Sequence, residues 1–131
     1  MSKEQPLIAV VDDEKAVRNA IRRLLRSAGF RVKAFASGAE LLKSLMNHTP
    51  DCVVLDLHMP DMDGFDIECQ LAQTEPRVPV IVLTGCDTSG DGERVMAGGA
   101  TAFLLKPVDA QVLLAAIAAA TQTDAVQSWN P

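Results

Sequence analysis

The 131 residues, 48% hydrophobic and 22% charged, suit one domain with one core. No apolar run is long enough to cross a bilayer, and Met1-Ser2-Lys3-Glu4-Gln5-Pro6 has no apolar segment of a secretory leader, so a cytoplasmic setting is expected. The net charge of −5 is uneven: residues 1–50 hold nine Lys/Arg against five Asp/Glu and residues 51–131 three against twelve, a balance that argues against direct nucleic-acid binding. Cys52, Cys69 and Cys86 are scattered and odd in number, without the spacing of a zinc site or a disulfide framework.

In chain order, Leu7 to Val11 reads as a buried strand. Ala16 to Ala28 reads as a helix, with Val17, Ile21, Leu24 and Leu25 on one face and Gly29 as its stop. Arg31 to Phe35 alternates like a more exposed strand. Ser37-Gly38-Ala39-Glu40 has the form of a capping box, and Leu41, Leu42, Leu45 and Met46 follow as the expected apolar face. Cys52 to Leu55 is a second buried strand, ending at Asp56.

The loop His58-Met59-Pro60-Asp61-Met62-Asp63-Gly64 leads to a helix predicted from Phe65 to Thr74 and ended by Pro76. Val80 to Leu83 is another buried strand. A fourth helix is expected between Gly85 and Gly99. Gly90, Gly92, Gly98 and Gly99 should keep it short or mobile, since an interior glycine costs about 1 kcal/mol against alanine. Ala102 to Leu105 is the last strand, and Asp109 caps an alanine-rich helix running to about Thr121. Residues 122–131 read as a polar tail or the start of a linker, which leaves residues 1–121 as the domain.

Five strands alternating with five helices imply an α/β fold, a parallel sheet covered on both faces. Right-handed crossovers favour an open doubly wound sheet, and such sheets bind ligands beyond the carboxyl ends of their strands. The polar residues of this chain stand at those ends: Asp12 and Asp13, Asp56, Thr84, and Lys106 before Pro107. Three carboxylates brought together repel one another unless a cation intervenes, and a hard dication such as Mg²⁺ or Mn²⁺ takes oxygen ligands. A lysine and a hydroxyl beside them can stabilise charge on a transferring phosphoryl group, with an aspartate as its acceptor.

The segments Val11-Asp12-Asp13-Glu14, Leu55 to Gly64, Leu83-Thr84-Gly85 and Leu105-Lys106-Pro107, in that order and at those spacings, resemble the receiver domains of two-component response regulators over residues 7 to about 121. The resemblance implies a flavodoxin-like (βα)5 fold with strand order 2-1-3-4-5. It implies a phosphoacceptor at Asp56, direct metal ligands in Asp13, Asp56 and the backbone carbonyl of His58, and Asp12 binding the metal through water. It further implies a switch hydroxyl in Thr84, a phosphate-binding ammonium in Lys106, a switch aromatic in Phe103 and a cis peptide between Lys106 and Pro107. The first helix and the later spacings look most like the FixJ type, whose members often carry a DNA-binding output domain and regulate transcription.

The implied activity is a switch that catalyses only its own phosphorylation and dephosphorylation in a phosphorelay, not that of a classical enzyme. A sensor histidine kinase or phosphotransfer protein is the implied partner. A phosphatase of the haloacid-dehalogenase type shares Asp, Thr, Lys and Mg²⁺, but its nucleophile ends the first strand in an Asp-x-Asp motif. A flavin carrier on the same fold would be repelled by Asp12-Asp13-Glu14 where it needs a phosphate loop. His58 and Cys86 occupy positions that tune dephosphorylation in the family, and the glycine-rich Thr88 to Gly92 departs from its usual pattern.

Two further features stand out. Arg18, Arg22 and Arg26 fall at i, i+4 and i+8 with Arg23 beside them, a basic stripe that reads as a solvated face or a docking surface for an acidic partner. The helix beyond Asp109 has no charged residue through Thr123, so an outer partner is expected on it. The resemblance points to a homodimer through the fourth helix, last strand and last helix.

Overall fold

Each of the five expected strand segments becomes a strand of one parallel sheet. The computed structural model describes residues 5–57, 59, 64–74, 77–85 and 90–121. Its elements, in order, are β1 (Leu7–Val11), α1 (Lys15–Ser27), β2 (Arg31–Phe35), α2 (Gly38–Ser44), β3 (Cys52–Asp56), α3 (Gly64–Ala72), β4 (Val80–Thr84), α4 (Asp91–Ala97), β5 (Ala102–Leu105) and α5 (Ala110–Thr121). The sheet order is β2-β1-β3-β4-β5, the expected doubly wound arrangement. The order reverses between β1 and β3, so the crevice there is the place where such a fold binds its ligand.

The period-two alternation of the strands divides the core in two. Ala9, Val11, Val53, Leu55, Val80 and Val82 face one side, under Leu41 of α2, Ile67 and Leu71 of α3 and Val95 of α4. Ile8, Val10, Val54, Ile81 and Leu83 face the other, under Ile21 and Leu25 of α1 and Leu113 and Ile117 of α5. β3 and β4 are buried along their whole length, which explains why both read as unbroken apolar runs.

Helix ends follow the local chemistry. Gly29 takes a positive φ of 96° after α1, the stop expected of it. The Ser37 hydroxyl accepts from the Glu40 amide at 3.2 Å, while the Glu40 carboxylate reaches back to the Ala36 amide at 3.3 Å, one residue beyond the expected box. The Asp109 carboxylate accepts from the amides of Gln111 and Val112, capping α5.

α2 ends at Ser44, so Met46 is not on its apolar face: it lies past the helix and is 85% exposed. α3 closes at Ala72, two residues earlier than expected. α4 has seven residues, begins after Gly90 at φ 90° and stops before Gly98, in keeping with its glycines. The expected tail at 122–131 and the glycine-rich loop residues 86–89, with Cys86 among them, lie outside the described residues, as does Pro76.

Candidate functional site

The strand register sets the site's geometry before any side chain is considered. Val11, the last residue of β1, pairs with Phe35 on one side and Leu55 on the other. Asp56 ends β3 opposite Leu83, and Thr84 ends β4 opposite Leu105. Asp12, Asp56, Thr84 and Lys106 therefore share the carboxyl edge of the sheet. Asp12, Asp56 and Thr84 are buried there, and Asp13 is exposed.

The carboxylates of Asp12, Asp13 and Asp56 offer oxygen atoms that all lie within 4.8 Å of one another. Lys106 reaches into this group: its Nζ is 2.8 Å from Asp12 Oδ2 and 3.5 Å from Asp56 Oδ1. Burial and the neighbouring Asp12 charge push the Asp56 carboxyl up to about 6, against the pull of Lys106. Burial works to lower the Lys106 ammonium, but its hydrogen bond to Asp12 and the charges of Asp56 and Asp12 outweigh it and raise the pKa. The donors are all hard carboxylate oxygens and their repulsion already draws in one cation, so the set fits a small dication.

Asp12 is saturated by protein. Its amide donates to Phe35 O at 3.1 Å, its Oδ1 accepts from Glu14 N at 2.9 Å, its Oδ2 from Lys106, and its carbonyl from Arg18 Nη1 at 2.8 Å. Arg18 is consequently half-buried and turned toward the strand end, not a free member of the basic stripe; Arg23 and Arg26 remain exposed. The spacing carried a signal for this. Arg18 stands four residues after Glu14, so it sits one helical turn above the exit from β1.

Phe103 stands apart from the carboxylates. It pairs with Val82, and alternation puts it on the same sheet face as Thr84. It is half-buried against the core under α4, where a Cβ added to Gly92 would come within 3.3 Å of its ring. The peptide between Lys106 and Pro107 is cis. His58, whose carbonyl the resemblance marks as a ligand, lies outside the described residues.

Two residues have packing roles that the sequence did not assign. Gly64 packs its Cα against the backbone of Leu57 and donates its amide to Leu57 O at 3.1 Å. Glu68 is buried on α3 with Oε2 lacking a hydrogen-bond partner among the described residues. Its spacing three residues from both Phe65 and Leu71 put it on the apolar stripe and could have flagged it.

The family model for the response regulator receiver domain matches residues 8–118. Nodulation protein W of Bradyrhizobium diazoefficiens is 39% identical over 118 residues, covering 90% of this chain and 52% of that protein. Response regulator protein TmoT of Ectopseudomonas mendocina is 33% identical over 130 residues, covering 99% and 59%. The chain thus spans about half the length of the curated relatives it matches. A response regulator receiver domain protein from Clostridium thermocellum superposes with a TM-score of 0.84 at 32% identity, covering 93% of this chain and 98% of that one. With the fold, the carboxylate cluster and these matches in agreement, the chain belongs to the response regulator receiver domain family.

Proposed function

We propose that this chain accepts a phosphoryl group on Asp56, from the phosphohistidine of a sensor kinase or phosphotransfer protein, and relays the event through its α4–β5–α5 face. The observation that carries the reading is the convergence of Asp12, Asp13 and Asp56 with Lys106 at one sheet edge. In the transfer a carboxylate oxygen of Asp56 bonds to phosphorus as the phosphorus–nitrogen bond of the donor breaks, leaving an acyl phosphate. Mg²⁺ or Mn²⁺, when bound, would neutralise charge on the phosphoryl oxygens. Asp13, Asp56 and the His58 carbonyl would hold it directly. Asp12, already bonded at every polar atom, would act through water.

Lys106 would leave Asp12 to pair with the phosphoryl group, and Thr84 would donate its hydroxyl to the same group. Phe103, on Thr84's side of the sheet and against α4, is placed to follow that movement. Docking on α1 is supported by the exposed Arg23 and Arg26 and by a groove of about 460 Å³ lined in part by Val17, Ala20, Leu24, Pro107 and Val108, next to Lys106. A homodimer through α4, β5 and α5 is supported by Met96, Leu105 and Val112, three of the four large apolar side chains most exposed among the described residues. The FixJ-type likeness, a domain spanning residues 1–121 and a role in transcription regulation belong to the same proposal, as does the cytoplasmic setting.

Incubation with acetyl phosphate and Mg²⁺, followed by intact-mass analysis, tests the reading. One acid-stable, hydroxylamine-labile phosphoryl group is expected on the wild type and none on Asp56→Asn. Normal labelling of the Asn variant, or none of the wild type, overturns it.

A further inference from the structure

We propose that Arg18 is a positioning residue for the dication: by holding the Asp12 carbonyl it sets the direction in which Asp13 presents its carboxylate. The inference rests on the reading of Asp12, Asp13 and Asp56 as a dication site.

The need for such a residue follows from where β1 stops. Val11 is the last residue paired to both neighbouring strands. The Asp12 amide still reaches Phe35 O, but the Asp12 carbonyl stands beyond the ladder in a residue that is only 1% exposed. A buried carbonyl without a partner is costly. Arg18 Nη1 supplies the partner at 2.8 Å from the first turns of α1.

Asp13 gives this contact its consequence. Among the described residues its carboxylate makes no hydrogen bond or ion pair, so no side-chain contact aims it. Its direction comes from the backbone. A trans peptide is planar, so pinning the Asp12 carbonyl toward α1 orients the whole Asp12–Asp13 plane and with it the Asp13 Cα. At the far side of the turn, Glu14 N is bonded to Asp12 Oδ1. The chain is thus clamped before and after Asp13; Phe35 and Lys106 hold the amide and the carboxylate of Asp12, while Arg18 holds the carbonyl of the peptide that leads into Asp13. Glu14, the N-cap of α1, makes no side-chain cap bond that could take its place.

A guanidinium suits this task better than an ammonium. Its planar fork loses less freedom on forming a hydrogen bond, and its charge strengthens the bond to a carbonyl.

Titration calorimetry with Mg²⁺ on the full chain, paired with thermal melts in EDTA, tests the proposal. Arg18→Ala should bind Mg²⁺ about 10-fold more weakly, the loss typical of a residue that orients a metal ligand. Its melting point in EDTA should fall through the unpaired carbonyl, and its Mg²⁺-induced gain in melting point should fall in addition. Arg18→Met, which keeps the aliphatic stem but no donor, should lose the same affinity and decides the matter if the alanine variant fails to fold. Arg18→Lys should recover part of the affinity, and Arg26→Ala should bind Mg²⁺ as the wild type does. Mg²⁺ affinity of Arg18→Met within about twofold of wild type would overturn the positioning role. Absence of Mg²⁺ binding by the wild type would instead overturn the dication site itself.

Discussion

Lys106 donates to Asp12 over 2.8 Å, a bond between residues 94 apart in sequence that crosses the two strands separating β1 from β5. The ammonium stands among carboxylates where a dication would otherwise balance the charge. Removing it should therefore hurt most when no metal is present. Lys106→Ala is expected to lose about 2 kcal/mol of stability in EDTA, the scale of a hydrogen bond to a charged group. Excess Mg²⁺ should restore much of the loss. Urea unfolding with and without the metal measures both, and an equal loss in the two conditions would contradict the charge-balance account.

Asp56 makes the complementary case. Its carboxyl sits at about 6, above the ordinary 3.8, because burial and Asp12 disfavour the anion. The folded state then holds the proton more tightly than the unfolded state does. The stability this gives is complete below the unfolded value and is lost as pH rises through about 6. Asp56→Asn should exceed the wild type in stability at neutral pH, by on the order of 2 kcal/mol in EDTA, and the gap should close toward about pH 4. Labelling by acetyl phosphate should fall as the carboxylate protonates below that midpoint, and Mg²⁺ should move the midpoint to lower pH. A pH-independent difference between the two proteins would contradict the assignment.

The strands and the residues at their ends were legible because the buried parallel sheet leaves a strong trace: β1, β3 and β4 are unbroken apolar runs, and polarity returns at Asp12, Asp56 and Thr84. What the sequence hid depends on geometry across elements. Arg18 stands one turn above the exit from β1, but that spacing does not by itself show that its guanidinium reaches the Asp12 carbonyl. Met46 continues the helical spacing of Leu41 and Leu42, but the helix closes at Ser44 and leaves it in solvent. Glu68 obeys the apolar period of α3 in position and violates it in chemistry.

Gly64 is required by a close approach of backbone. A Cβ there would stand 2.5 Å from Leu57 O and 2.9 Å from Leu57 Cα, neither of which can swing aside as a side chain could. Leu57 follows Asp56, so relief of the clash would displace the end of β3. Gly64→Ala should cost about 2 kcal/mol, within the range for overpacking a close contact, and should weaken Mg²⁺ binding as well. Urea unfolding and calorimetry check the two effects, and a variant with unchanged metal affinity would show that β3 does not move.

Glu68 presents the opposite problem, a charge where the packing offers room only for an apolar or neutral group. Its Oε2 is buried without a partner among the described residues, and Oε1 lies 2.8 Å from where a Cβ on Gly98 would be, at the end of α4. Burial raises its carboxyl above the usual glutamate value, although the Ala100 amide and the charge of Arg77 pull it down. By the same sign as for Asp56, its stabilising contribution is present in acid and fades as pH rises through the folded pKa. Glu68→Gln should therefore melt higher than the wild type at neutral pH and converge with it in acid. The carboxylate also occupies the space that a side chain at Gly98 would enter. Gly98→Ala should cost about 1–3 kcal/mol in the wild type and clearly less in a Glu68→Ala background, where the obstructing group is gone. Additive costs in that double-mutant cycle would show that α3 and the end of α4 are not coupled through Glu68.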